Sequence, residues 1–156
     1  MHNTLNTRGH GLTLVELMIV LAVVALLTVI ALPTYSRYID RVRTSQAVQF
    51  MTTTSLGLEA YYAQHLSYPA SLSEIGIKDA VDPWGNPYQY LPIDIDPPPN
   101  TGKVRRDKNM NPINTDYDLY SAGPDGRSQT QLTARFARDD IVRAGNGSYV
   151  GKARDF

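Results

Sequence analysis

The feature that most constrains the fold is an apolar run from Leu12 to Leu32 that contains a single charged residue, Glu16. As a helix rising about 1.5 Å per residue, the run is about 30 Å long, which matches the hydrocarbon core of a bilayer. A secretory signal peptide has a shorter apolar core that ends in a small-residue cleavage site. The run is therefore predicted to be kept as a membrane-spanning helix.

The residues before the apolar run predict its orientation. Residues 1–11 form a short polar leader that carries Arg8, and most of the chain lies on the other side of the run. Positive charge is retained on the cytoplasmic side of a membrane helix. We therefore expect Met1 in the cytoplasm and the residues after Pro33 outside, as a single-pass protein.

Glu16 is unusual in such a segment. A carboxylate inside a membrane costs a few kcal/mol and normally has a partner. The apolar run contains no Lys, Arg or His that could pair with it. We therefore expect the partner to come from another chain, or from an amine that is freed by processing. A plain signal anchor would have no need of this residue.

The residues around Glu16 resemble a known processing motif. The run GLTLVELMIV, which begins at Gly11, is similar to the prepilin peptidase motif of type IV pilins and type II secretion pseudopilins. The resemblance implies that prepilin peptidase cuts after Gly11 and that the new amine, on Leu12, is methylated. It also implies that Glu16 pairs with that amine on a neighbouring subunit. The family usually has phenylalanine where this chain has Leu12.

The pattern after the membrane segment predicts that the helix continues. Apolar residues recur at helical spacing and polar residues occupy the other face. The helix is expected to pass the kink-prone Pro33, to loosen around Thr52–Gly57, whose residues are poor helix formers, and to end near His65. The apolar stripe would pack on a small domain; it comprises Tyr35, Ile39, Val42, Met51, Leu58, Tyr62 and Leu66.

The next segment predicts a short helical turn and a strand. Ser71 is positioned to cap a turn at residues 72–75. Turn formers in DPWGNPY, residues 82–88, precede the alternating residues 88–91. Trp84 is interpreted as an apolar anchor of this turn rather than a stacking surface for a sugar or base. The segment resembles the major pseudopilin of type II secretion, where the first strand of a small antiparallel sheet begins.

These features define the predicted organisation. The fold class is α+β: a long N-terminal helix packed on a small antiparallel sheet with a C-terminal loop, which is the pilin fold. The predicted parts are a cleaved leader (1–11), a membrane helix (12–33), its amphipathic continuation (34–66) and a periplasmic globular domain (67–156).

Residues 92–115 are polar and rich in proline, and we interpret them as an inserted loop or an extended hairpin. Asp94 and Asp96 lie beside three prolines and are expected to be solvated. A calcium-binding EF-hand loop is disfavoured because Pro112 replaces the required glycine and no helices flank the run. The residues that coincide with EF-hand ligand positions are Asp107, Asn109, Asn111 and Asp118.

A second metal candidate depends on resemblance. The run YDLYSAGPDG, residues 117–126, followed by Asp140-Ile141, is similar to a pseudopilin loop that wraps one calcium ion. Calcium prefers six to eight oxygen ligands, and the chain has no cysteine that could staple this loop instead. The resemblance implies Asp125 and Asp139 as ligands, Asp140 as ligand or cap, and oxygens from Leu119 and Ser121. The family's glycine-rich loop is replaced at residues 129–136, so a turn capped by Asp125 is the alternative.

Other function classes find little support. The net charge is zero and no basic stripe alternates with aromatic residues, so nucleic acid is not an expected partner. His65 is the single histidine after the leader, and no catalytic triad can be built around it. The chain is therefore not expected to be an enzyme.

The resemblance implies a structural subunit of a type II secretion pseudopilus. Implied partners are copies of the same chain, prepilin peptidase, minor pseudopilins and the inner-membrane assembly platform, with the folded domain in the periplasm of a bacterium. The alternative is a type IV pilus subunit for adhesion, motility or DNA uptake. A membrane-anchored periplasmic enzyme or binding module is the third interpretation.

Overall fold

The computed structural model describes residues 13–94 and 102–156. It contains one α-helix, α1 (Leu14–His65), a 3₁₀ turn (Leu72–Ile75) and a final 3₁₀ turn (Ala153–Asp155). The four strands are β1 (Gln89–Pro92), β2 (Tyr117–Ser121), β3 (Ile141–Ala144) and β4 (Tyr149–Lys152). The chain divides into two compact units, one up to Asp40 and one from Arg41 to Phe156.

The first unit is the exposed, apolar part of α1. The most apolar stretch of α1 has a mean hydropathy of 2.9 and none of it is buried, so its length and composition suit a membrane span. The helix continues through Pro33, and hydroxyls beside the proline bond to helix carbonyls: Thr34 Oγ1 donates to Ile30 O at 2.9 Å and Ser36 Oγ to Pro33 O at 3.0 Å.

The second unit is built on an antiparallel sheet in the order β1-β2-β3-β4. Alternate strand residues face opposite sides, so the sheet has two apolar faces. One face packs with α1 residues around Met51 and Leu58, both fully buried. This core is rich in aromatic side chains; its buried members are Ala47, Met51, Leu58, Tyr68, Tyr88, Tyr117, Leu119 and Ile141.

The other face of the sheet is covered by the segments that precede β2 and β3. Its buried apolar members are Ile113, Leu132, Val142, Ala144 and Ala153. Val104 and Arg105, which the sequence places in a polar insertion, are only 4% and 2% exposed. The interpretation of residues 92–115 as an inserted loop or an extended hairpin did not include this burial from residue 104 on. A short hairpin does occur there, with an isolated bridge between Arg106 and Pro112.

Several local predictions can be compared with the structure. The α+β pilin-like architecture, the end of α1 at His65 and the strand after DPWGNPY are confirmed. The expected loosening at Thr52–Gly57 is wrong, because α1 is continuous there and Thr54 is buried. Packing against the sheet outweighs low helix propensity.

The predicted cap of the first 3₁₀ turn is also wrong. Ser71 makes no side-chain capping bond; its hydroxyl lies 2.6 Å from that of Ser73. Glu74 acts at the turn instead, since its Oε1 accepts the Ala70 N–H at 3.0 Å. Trp84 is partly buried and packs against the main core, in agreement with an anchoring role.

Candidate functional site

The start of α1 holds Glu16 in a reciprocal pair with Thr13. The Thr13 N–H donates to Glu16 Oε2 at 2.9 Å, and the Thr13 hydroxyl donates to the same oxygen at 3.0 Å. In return the Glu16 N–H donates to Thr13 Oγ1 at 3.2 Å. This is a capping box, in which Thr and Glu three residues apart satisfy backbone donors that a helix start leaves open.

The capping box gives Glu16 a partner within its own chain. Only a cationic partner was predicted for Glu16, although the T-x-x-E spacing of Thr13 and Glu16 is a known signal for this arrangement. Thr13 supplies neutral donors, so the charge of Glu16 is bonded but not neutralised. The carboxylate remains exposed on the described chain. An unneutralised carboxylate at this depth still favours a cationic partner.

The predicted processing residues, Gly11 and Leu12, lie outside the described residues. Cleavage between them stays a prediction. The first described residue after the predicted cut is Thr13, the N-cap partner of Glu16.

The two segments that carried the pseudopilin resemblance meet in space. Asp82 Oδ2 accepts the Ser121 hydroxyl at 2.5 Å, and Asp82 Oδ1 accepts the N–H groups of Trp84 and Asn86 at 3.0 and 2.8 Å. The Asn86 side chain donates to Gly123 O at 2.8 Å. The turn after residue 81 is therefore bonded directly to the end of β2.

The predicted calcium ligands are not brought into one cluster of free oxygens. Leu119 and Ser121 are buried on β2, and the Ser121 hydroxyl serves Asp82 and the Gly123 N–H. Asp125 is exposed, and its Oδ1 accepts the N–H of Arg127 at 2.8 Å. That bond is the ordinary turn cap that the sequence analysis kept as its alternative.

The two adjacent aspartates before β3 have different environments. Asp139 is half-buried, and its backbone carbonyl lies against Gly123. Asp140 is fully buried, and its Oδ2 accepts Arg105 Nη2 and the Ser128 hydroxyl, each at 2.5 Å. Burial raises the pKa of Asp140 to about 6, while the nearby Arg105 charge opposes that rise. Asp140 is thus not a simple turn cap, and its Oδ2 is not free to bind a metal ion.

The residues that coincide with EF-hand ligand positions have unrelated roles in the structure. Asp107 is exposed and accepts the N–H groups of Asn109 and Asn111, both at 2.8 Å, which lowers its pKa. Asp118 is buried on β2 and accepts the Arg105 N–H at 2.7 Å. Within residues 13–94 and 102–156, no three acidic or histidine side chains form a group suited to a metal. Calcium binding stays a prediction.

Two buried arginines were missed by the sequence analysis. Arg143 on β3 makes a bidentate pair with Asp116, at 2.9 and 2.7 Å, and stacks 3.9 Å from the centroid of the Tyr117 ring. Arg105 pairs with Asp140 as described above. Arg143 lies in a strand whose other residues are apolar, and a charged residue among apolar ones was the available signal. Arg105 stands among polar residues, so nothing local marks it as buried.

The chain is similar to known proteins in two ways. A family model described as the prokaryotic N-terminal methylation motif matches residues 6–32. The chain is 33% identical over 89 residues to a fimbrial protein of Neisseria meningitidis, which covers 57% of this chain and 52% of that protein. No solved structure matches the chain significantly.

Two further relatives extend along most of the chain. The type IV major pilin protein PilE of Neisseria gonorrhoeae is 28% identical over 156 residues, covering 95% of this chain and 90% of that protein. The type II secretion system core protein G of Pseudomonas aeruginosa is 25% identical over 138 residues, covering 75% and 84%. These relatives are filament-type subunits rather than enzymes, which supports a structural, non-enzymatic role. The methylation motif, the long helix packed on a four-stranded sheet and these similarities together make the chain similar to type IV pilin-like proteins.

Proposed function

We propose that the chain is the repeating subunit of a type IV pilus. The observation that carries this proposal is the similarity to PilE along nearly the whole chain, which begins with the N-terminal methylation motif. The pilin relatives with shorter matches also have higher identities than core protein G, at 33–38% against 25%. The pilus is therefore preferred to the pseudopilus that the sequence analysis placed first.

The proposed maturation follows the motif. Prepilin peptidase cuts after Gly11, and the amine of Leu12 is methylated. The apolar part of α1 anchors the chain in the inner membrane, with the domain that starts near Arg41 in the periplasm. Subunits then leave the membrane by joining a growing filament, in which their apolar helices pack on one another instead of on lipid.

Glu16 has the central part in the proposed assembly. In the single chain its charge is bonded by Thr13 without a counter-charge. The cationic amine of Leu12 on a neighbouring subunit neutralises that charge, and the gain is available only when the two helices meet in one axial register. Buried polar pairs fix register in other helical assemblies in the same way.

The pseudopilus is the second candidate, and one observation favours it. The DPWGNPY turn and the end of β2, which both resemble pseudopilin segments, are bonded to each other through Asp82–Ser121 and Asn86–Gly123. A deletion strain separates the two proposals. Loss of surface filaments with normal protein export supports the pilus, whereas loss of an exported protein from the medium with unchanged surface filaments supports the pseudopilus.

The assembly role is tested with Glu16→Val and the matched control Thr13→Val. Glu16→Val makes the segment more apolar, so membrane insertion is retained. We expect it to reduce the assembled pool at least tenfold, measured by immunoblot of sheared filaments against the membrane fraction. Thr13→Val removes the capping hydroxyl but keeps the carboxylate, so assembly is expected to fall less than twofold. Equal losses in the two variants would mean that capping of α1, not pairing between subunits, is what Glu16 contributes.

A further inference from the structure

Residues 102–116 are bonded into the second face of the sheet, although their sequence is polar. The Arg105 N–H donates to Asp118 Oδ2 at 2.7 Å, and Arg105 O accepts the Ile113 N–H at 3.0 Å. Arg106, the next residue, forms backbone hydrogen bonds to the segment before β3. The Arg106 N–H donates to Thr130 O at 2.8 Å, and Arg106 O accepts the Leu132 N–H at 2.9 Å. The backbone therefore fixes where the Arg105 side chain enters the interior.

The Arg105 guanidinium joins three parts of the second unit. Its Nη2 donates to Asp140 Oδ2 at 2.5 Å, immediately before β3. Its Nη1 donates to the Ser128 hydroxyl in the C-terminal loop, residues 122–140. Its plane lies over the ring of Tyr120 on β2, at 4.1 Å from the ring centroid. One side chain thus connects β2, the middle of the C-terminal loop and the last residue of that loop before β3.

The ion pair between Arg105 and Asp140 is shielded from water. Arg105 is 2% exposed and Asp140 is 0% exposed. A buried charge that loses its partner is strongly unfavourable, because neither water nor another ion replaces the lost interaction. A guanidinium keeps its charge at all ordinary pH values. Burial of Arg105 therefore depends on the negative charge of Asp140, and burial of Asp140 depends on the positive charge of Arg105.

This arrangement does not fit the calcium ion that the family resemblance implies for the same loop. Asp140 Oδ2 is already bonded to a cation and a hydroxyl. Of the other two carboxylates expected there, Asp125 is exposed and caps its own turn, and Asp139 is half-buried with its backbone carbonyl against Gly123. A divalent ion at Asp140 would lie beside the positive guanidinium, and like charges in a poorly screened interior repel strongly. Asp140 Oδ1 is buried and has no hydrogen bond to the described residues, so it is the oxygen of Asp140 at which a calcium ion would have to bind.

We propose that Arg105 is a built-in cation that closes the C-terminal loop onto the sheet, in the role that calcium is expected to have in the related pseudopilins. The folded state of this chain then does not require calcium. The segment from residue 102 to 116 is the part of the chain that supplies the cation. This proposal concerns the fold of the domain and holds for a pilus and for a pseudopilus subunit alike.

Thermal unfolding of the full chain in detergent tests the proposal. Trp84, the only tryptophan, packs on the main core and reports unfolding of the second unit by fluorescence. We expect the wild type to melt within about 1 °C of the same temperature in millimolar calcium and in excess chelator, since a site that binds only the folded state would raise Tm. A rise of more than about 5 °C in calcium would overturn the proposal.

Charge substitutions test the role of Arg105 itself. Arg105→Gln keeps polar donors but removes the charge, and we expect Tm to fall by on the order of 10 °C. Arg135→Gln, at an exposed position on the same loop, is the matched control and is expected to change Tm by less than about 2 °C. Equal changes in the two variants would contradict the proposal.

A double variant keeps the test decisive if the single variants do not fold. Arg105→Met combined with Asp140→Leu removes both charges and keeps apolar volume. Replacing both partners of a buried pair is far better tolerated than removing one. We therefore expect the double variant to fold and to melt above both Arg105→Met and Asp140→Leu. Simple addition of the two single losses would show that the residues act separately and would overturn the proposal.

Discussion

Thr13 and Glu16 are three residues apart, which is the spacing at which a helix start can satisfy its own backbone donors. The same carboxylate that is costly in lipid therefore has a local use before any neighbour is present. Thr13 holds the side chain at the helix start, and its neutral donors leave the charge to be neutralised on assembly. Glu16 therefore has two roles, in capping α1 and in assembly. Its substitution must be compared with that of Thr13, which affects capping alone.

Gly123 is the residue at which the end of β2 meets the loop before β3. Its φ is +65°, and a Cβ added there would overlap the carbonyl oxygen of Asp139. We expect Gly123→Ala to destabilise the domain by about 2–4 kcal/mol, because backbone must move in addition to the strain of a positive φ. Detergent-solubilised chain followed by Trp84 fluorescence in a denaturant titration gives this value.

Gly76 provides the control for Gly123. It also has a positive φ, +82°, but nothing lies within 4 Å of an added Cβ. Gly76→Ala should therefore cost only about 1 kcal/mol, which is the strain alone. If Gly123→Ala is no more damaging than Gly76→Ala, the close approach of Gly123 to Asp139 does not contribute to stability.

At the scale of elements, helix α1 was predictable and the region before β2 was not. The helix has a long periodic pattern, and its end at His65 follows from the turn formers after it. Residues 102–116 are polar along the sequence, yet Val104, Arg105 and Asn114 are buried by partners that lie far away in the chain. The composition of the neighbouring sequence does not indicate partners that are distant in the chain. Burial of a charged residue depends on a counter-charge that only the tertiary structure brings near.

The aromatic layer between α1 and the sheet has a consequence for alkaline stability. Burial raises the pKa of Tyr88 to about 12, and burial also raises the pKa of Tyr68 and Tyr90. A folded pKa above the unfolded value of about 10 means that the stability contribution is complete below pH 10 and is lost as pH rises through 12. At pH 12, the loss for Tyr88 alone is expected to be about 2 kcal/mol.

Substitution of Tyr88 isolates its part in that loss. Tyr88 stacks on Phe50 of α1, with ring centroids 4.2 Å apart, and phenylalanine keeps this contact. We expect Tyr88→Phe to lose less stability than wild type between pH 10 and pH 12, measured by denaturant titration at each pH. The same pH dependence in both proteins would mean that Tyr88 does not titrate with unfolding.

At the scale of the whole molecule, the sequence predicted a membrane anchor joined to a small α+β domain. The described chain has a helix long and apolar enough to cross a membrane, and an α+β unit from Arg41 on. The apolar helix was predictable because hydrocarbon demands a long apolar run, which composition alone reveals. The small antiparallel sheet and the strand after DPWGNPY followed from family resemblance and turn chemistry. The way in which the C-terminal loop is closed was not predictable, because it depends on the Arg105–Asp140 pair.

The central claim is that the chain is a pilin-like subunit that is processed before it assembles. The most direct test is the intact mass of the membrane-bound protein, measured in a strain with active prepilin peptidase and in one without it. We expect the active strain to yield a chain that begins at Leu12 and carries one added methyl group, and the other strain to yield the full chain. A protein that retains residues 1–11 in both strains would contradict the claim.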